Sequence, residues 1–104
     1  LESLYKMFLI GKNAEDNWRI IKESEGEWLW FHLNSFPSCH VIIQDSDPTA
    51  ENILEAAKLC KFYSKYKHIR NIKIVYTNVN NLRFGESIGS VHVISKRKCN
   101  YVID

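Results

Sequence analysis

Apolar and polar positions along this chain alternate between the two spacings that distinguish strand from helix. Leu4 to Ile10, LYKMFLI, is mostly apolar and closes on Gly11, which predicts a first strand. Asn13 to Ser24 reads as a helix. Asn13 is a good N-cap, Glu15 and Asp16 suit the positive helix start, and Trp18, Ile20 and Ile21 give an apolar stripe. Glu25 and Gly26 end it. Glu27 to Leu33 and His40 to Gln44 read as two strands, joined by the Asn34 to Cys39 loop with Pro37 in it.

Asp45 to Thr49, DSDPT, is a turn leading into the strongest helix, with Asp47 as its expected cap and Pro48 at the first helical position. Ile53, Ala56, Ala57, Cys60 and Tyr63 recur at helical spacing and are expected to face the sheet, while Lys58, Lys61 and Lys65 fall together on the opposite side. Ile72 to Tyr76 is a β-branched strand, and Asn78 to Gly89 reads as a loop rich in Asn and Gly. Val91 to Ile94 and Asn100 to Ile103 are expected to pair around the Ser95 to Cys99 tip. The order β-α-β-β-α-β-β-β predicts an α+β fold with two helices and a mixed or mainly antiparallel sheet.

With 104 residues, residues 1–104 make one domain with one core. The chain begins at Leu1, as a module excised from a longer protein would. A formal charge of +2 is too small to argue for nucleic acid by itself. Its distribution says more: acids concentrate in the first half, whereas Lys58 to Lys73 and Lys96 to Lys98 are mainly basic. Cys39, Cys60 and Cys99 are widely spaced and contain no CxxC, which argues against a disulfide framework or a structural zinc site. Reduced thiols in a cytoplasmic protein are the expectation. No apolar run reaches the length of a membrane span, so no membrane partner is expected.

The densest chemistry lies in WLWFHLNSFPSCHVII, Trp28 to Ile43. On a strand, Trp28, Trp30 and His32 point one way and Leu29, Phe31 and Leu33 the other. His32 should then lie opposite His40, so that Trp30, His32, His40 and Ile42 line one face beside Asn34, Ser35 and Ser38. Two such histidines could share protons, stack on a base, or simply donate to carbonyls at the sheet rim. Metal is the weakest reading, because no third ligand sits at ligand spacing.

Two further features stand beside this one. Gly11, Lys12 and Asn13 form a glycine turn feeding a helix start, which can meet a phosphate or be no more than a capped turn. The lysines at 58, 61 and 65, with Lys67, His68 and Arg70 nearby, can track a nucleic-acid backbone or answer the helix dipole, and Tyr63 or Tyr66 could add stacking. No GxSxG, HExxH or paired-carboxylate pattern is present. An RNA-processing enzyme using His32 and His40 as acid and base therefore stands as a minor alternative. Docking on the ribosome or a coiled-coil partner through the Asn78 to Gly89 loop is another.

Taken in order, IGKNAEDNWRIIK, WFHLNSFPSCHVII, ILEAAKLCKFYSK and IVYT resemble the NFACT-R domain family over nearly the whole chain. The family pattern G-[RK]-N-x-x-x-N matches Gly11, Lys12, Asn13 and Asn17. The element W-[FL]-H, followed by P-[GS]-[AS]-H-V, matches Trp30, His32, Pro37, Ser38, His40 and Val41. Y-S-K matches Tyr63, Ser64 and Lys65. Trp28 stands where relatives place an acid, and Cys39 replaces their small residue. The region from IVYT to the glycine loop is nearer to the short eukaryotic type that carries a C-terminal coiled coil.

The resemblance implies an RNA-binding module linked to translation or ribosome-associated quality control, without covalent chemistry, cofactor or metal. The expected partners are tRNA or ribosomal RNA, with ribosomal proteins a second class; a small-molecule substrate is not expected. The expected contacts are Lys12, Asn13, Asn17, Trp30, His32, Ser38, His40, Lys58, Lys61 and Lys65.

Overall fold

The computed structural model describes residues 7–104. The proposed first strand at Leu4 to Ile10 therefore falls partly outside the described residues. What is described of it is β1, Phe8–Ile10. Then come α1 (Ala14–Lys22), β2 (Leu29–Leu33), β3 (Val41–Ile43), α2 (Ala50–Phe62), β4 (Lys73–Asn78), β5 (Leu82–Phe84), β6 (Val91–Val93) and β7 (Asn100–Ile103). A five-stranded sheet in the order β1-β3-β2-β4-β7 pairs antiparallel throughout, and β5 with β6 forms a separate antiparallel hairpin. This is the α+β architecture, with its two helices and antiparallel sheet.

The strands bury both faces, and alternation decides which residue serves which. Phe31 and Leu33 of β2, Val41 and Ile43 of β3 and Ile74 of β4 pack against Ala56, Ala57 and Cys60 of α2. Trp30, Ile42 and Val75 face the other way, where Ile20 and Ile21 of α1 meet them, with Leu82, Val91 and Val93 of the hairpin at the margin. The small residues of α2 let the helix lie close to the sheet. Trp18 fastens α1 to the hairpin: its indole N–H donates to the Ser90 carbonyl at 2.8 Å, and its ring meets Phe84 edge-on at 5.3 Å.

Four local expectations are corrected. The cap of α2 is Thr49, not Asp47: Thr49 Oγ1 accepts from Asn52 N–H at 3.1 Å and Asn52 Oδ1 accepts from Thr49 N–H at 3.4 Å. That reciprocal capping box outcompetes Asp47, whose own N–H turns back to Asp45 Oδ1. Tyr63 does not face the sheet. It is the C-cap, 57% exposed, because the helix ends before its periodic position is reached. The Asn78 to Gly89 segment is not all loop, since it contains β5. Finally, β6 pairs with β5 and β7 pairs with β4, so the two last strands are not partners around the Ser95 to Cys99 tip.

Candidate nucleic-acid interface

β2 and β3 run antiparallel with Trp30 opposite Ile42 and Phe31 opposite Val41, which brings His32 and His40 side by side where the pair opens. Their rings stand 5.2 Å apart, edge to face. Trp30 completes the cluster, stacked on His32 at 5.6 Å and edge-on to His40 at 5.4 Å. These three rings line a groove of about 670 Å³. Its rim comes from four other places: the Gly11–Asn17 turn, the Pro37–Cys39 loop, Tyr63–Tyr66 beyond α2, and Ile88–Val91 at the hairpin tip.

Two glycines make this closure sterically feasible. A Cβ on Gly11 would fall 1.9 Å from Asn17 Oδ1, so only glycine lets that amide lie over the turn. Gly89 has a φ of +88°, and a Cβ there would meet Ala14 Cα at 2.8 Å. The hairpin tip thereby rests directly on the start of α1.

Hydrogen bonding separates residues that shape the groove from those free to contact a ligand. Asn17 Oδ1 accepts from the His40 N–H at 3.3 Å, and the Gly11 N–H donates to the His40 carbonyl at 2.9 Å, so α1 and its turn position β3. Asn13 Oδ1 is the N-cap acceptor for Asp16 N–H at 2.8 Å. The Lys12 N–H donates to Asp16 Oδ2 at 2.9 Å. Arg19 and that N–H hold the Asp16 carboxyl below the usual carboxylate range. The glycine turn thus has most of its N–H groups committed and carries its own anion. What it presents outward is the exposed Lys12 ammonium. Ser38 is committed likewise: Oγ accepts from Leu33 N–H at 3.1 Å and donates to the Cys39 carbonyl at 3.0 Å, bracing the loop.

The imidazoles are neutral near pH 7. Burial, with the neighbouring His32 ring second, pushes His40 down from 6.5 to about 3. Burial also lowers His32, partly offset by the Leu33 carbonyl. His32 Nδ1 lies 2.6 Å from that carbonyl, which can only accept. The proton therefore sits on Nδ1, and Nε2 is left as an acceptor. Among the described residues no acid is hydrogen-bonded to either ring, and Trp28, two residues before Trp30, is half-buried. An acid–base pair working near neutral pH needs one ring protonated, which this environment opposes. Among the described residues, Trp30 Nε1 and His40 Nδ1 are buried without a hydrogen-bond partner. Each such atom costs about 1–3 kcal/mol when left unpaired. The floor thus holds an unpaired indole donor and an unpaired imidazole nitrogen. Among the described residues no group of three or more His, Cys, Asp or Glu is placed to hold a metal ion.

The expected lysine row does not survive as a row. Lys65 lines the groove and Lys58 is exposed outside it. Lys61 is only 12% exposed: its Nζ donates to the Asp104 carbonyl at 2.7 Å and lies 3.8 Å from the Asp104 carboxylate. The chain's last residue thus takes it out of the exposed face. Sequence reasoning missed the Ile88–Val91 wall. Its one local sign was Gly89, a residue needed only when the tip has packed on Ala14.

The fold and groove define a small α+β domain with an open groove that is aromatic and polar and is flanked by the Lys12 and Lys65 ammonium groups. The family model described as the NFACT protein RNA binding domain matches residues 2–95, and the chain belongs to that family. It is similar to the Rqc2 homolog RqcH of Bacillus subtilis, 29% identical over 76 residues, covering 72% of this chain and 13% of that protein. The Streptococcus suis protein of the same name is 34% identical over 73 residues, covering 65% of this chain and 13% of its own. The chain therefore spans about an eighth of the curated relatives it matches. Among solved structures it resembles the C-terminal part of the fibronectin/fibrinogen-binding protein from Streptococcus suis. The TM-score is 0.84 at 27% identity, covering 92% of this chain and 39% of that one.

Proposed function

We propose that the groove floored by Trp30, His32 and His40 is where this domain holds RNA, and that it takes an unpaired stretch. The observation that carries this reading is convergence. The glycine turn, the two-histidine hairpin and the segment after α2 lie far apart in sequence, yet all line one groove. A volume of about 670 Å³ admits a nucleotide or two but not the body of a duplex. Exposed Tyr63 stands beside it, whereas the Tyr66 ring is already packed on Phe36 at 4.5 Å, and base–aromatic stacking contributes about 1–3 kcal/mol per base. Lys12 and Lys65 answer the phosphates. Asn13, Asn17 and Ser38 act by shaping the rim, and the neutral rings read base edges by hydrogen bonding.

The wider setting is part of the same proposal: a cytoplasmic role in translation or ribosome-associated quality control, with tRNA or ribosomal RNA as the target. The Rqc2 homologues it matches support the link to ribosome-associated quality control. We also place the chain nearer to the short type, on its region from IVYT to the glycine loop, although the relatives matched are bacterial. A coiled-coil heptad pattern encoded directly after Asp104 would support that placement, and its absence there would remove it.

Anisotropy titrations with single-stranded RNA, a blunt RNA duplex and tRNA at roughly 50 and 200 mM salt test the groove. The expected result is single-stranded binding that weakens steeply with salt and falls at least tenfold in a His32→Ala, His40→Phe double variant that still folds. Absence of RNA binding at the lower salt, with co-sedimentation on ribosomes retained, would replace this reading with protein docking.

A further inference from the structure

Outside the groove, the strongest unexplained feature is the turn between β6 and β7. Lys96, Arg97 and Lys98 form a single exposed 3₁₀ turn. None of them is in an ion pair among the described residues, where the ion pairs involve only Arg19 and Lys61. Three adjacent cations repel one another, so the cheapest arrangement would leave them on a loose loop. Here the loop is tied from inside the protein.

Asn81, 3% exposed, donates from Nδ2 to the Ser95 carbonyl at 2.9 Å and accepts on Oδ1 from the Ser95 N–H at 3.0 Å. The same amide donates to Thr77 Oγ1 at 3.0 Å. Thr77, 1% exposed, donates in turn to the Lys98 carbonyl at 2.9 Å. Two buried polar side chains thus fix both ends of the turn in a connected, satisfied network, the arrangement that rigidifies its surroundings. Within the turn, Lys98 N–H reaches the Ser95 carbonyl and Cys99 N–H the Lys96 carbonyl, each at 3.2 Å. The hairpin adjoining it adds exposed Arg83 and His92, directly opposite each other on β5 and β6. Its tip carries one acid, Glu86. The hairpin runs from this turn, where Ile94 N–H donates to the Asn81 carbonyl at 2.8 Å, to the tip that walls the groove.

We propose that the Lys96–Lys98 turn is a second RNA contact: a pre-ordered cationic turn that engages the phosphate backbone of the RNA whose unpaired segment lies in the groove. The inference rests on the RNA reading of the groove and adds a division of labour. The groove recognises bases through neutral rings, and the turn supplies charge at a fixed spacing away from it. Because the lysine and arginine side chains meet phosphates only, the turn contributes affinity without sequence preference.

The two contributions separate in a salt titration, because each phosphate contact to a single strand adds about 0.7 to the slope of log K against log salt. Wild-type chain, a Lys96→Gln, Arg97→Gln, Lys98→Gln triple variant and a His40→Phe variant are titrated with one single-stranded RNA of about twenty nucleotides. Lys22→Gln, exposed on α1, calibrates the loss of one charge elsewhere. The triple variant is expected to lower the slope by about 2, well beyond three times the Lys22 effect, with an unchanged unfolding temperature. His40→Phe is expected to lower affinity at every salt concentration with the slope kept. A triple-variant slope equal to wild type, or no larger than the calibrated charge effect, overturns the proposal and turns the search toward an acidic protein partner. If the wild-type chain binds no RNA at low salt, the groove reading and this one both fall.

Discussion

On the α2 side of the sheet, Phe31, Leu33, Val41, Ile43 and Ile74 are sealed beneath Ala56, Ala57 and Cys60. On the α1 side, Trp30 and Ile42 begin as core and then give way, two residues along the same strands, to His32 and His40 at an open groove. The first face is apolar and closed. The second accepts two buried nitrogens without partners and two desolvated imidazoles. Adjacent residues of one hairpin therefore line a sealed core and an open groove separately, because a strand turns neighbours to opposite faces; the proposed RNA contact falls on the second.

The largest expected effect is on the closed face. Phe31→Ala should cost about 3–5 kcal/mol by emptying the centre of a sealed core, read as a drop in the denaturation midpoint. RNA affinity of the fraction still folded should hold. Equal loss of affinity per folded molecule would mean that the two faces are not separable.

Acid should unfold the protein from the groove side. His40 titrates at about 3 when folded and near 6.5 when unfolded, so the unfolded chain binds more protons between these values. Stability is then fully present above about 6.5 and falls as pH drops toward 3, by about 1.4 kcal/mol per pH unit once the difference is a full proton. His32, lowered by burial, adds with the same sign. Denaturation at pH 7.5 and 5.5 measures this, and His40→Phe should flatten it. An unchanged slope in that variant would assign the acid sensitivity to other groups.

His40→Phe at neutral pH draws the contrast most sharply. It removes an unpaired buried nitrogen while keeping a ring, so stability should hold or rise by up to about 1–3 kcal/mol. RNA affinity should fall at least tenfold, about 1.4 kcal/mol. The smallest effect distinguishes lysines: Lys65→Ala should reduce the salt slope by about 0.7, while Lys58→Ala, outside the groove, should leave it unchanged.

What the sequence made legible follows from how local each feature is. Strand alternation placed Trp30 and Phe31 on opposite faces, and Asn13 declared the start of α1. Thr49 was overlooked for Asp47 because the capping box depends on Asn52, three residues further on. β5 was missed because Leu82–Phe84 is a three-residue strand with Arg83 in its centre and two exposed residues. The pairing of Lys61 with Asp104 spans 43 residues and has no local sign. The groove itself was legible only in pieces. The family likeness marked Gly11–Asn17, Trp30–Val41 and Tyr63–Lys65 separately, and tertiary packing alone brings them to one rim.

The central claim is that RNA enters the groove floored by Trp30, His32 and His40. It is tested most directly by following the backbone amides and the Trp30 indole N–H in nitrogen–proton correlation spectra while single-stranded RNA is titrated in. The account predicts the largest shifts at the Trp30 indole and at Gly11, Asn17, Ser38 and His40, with Phe31 and Ala57 on the closed face still. Shifts confined to the outer surface of α2, with the Trp30 indole unmoved at saturation, would contradict it.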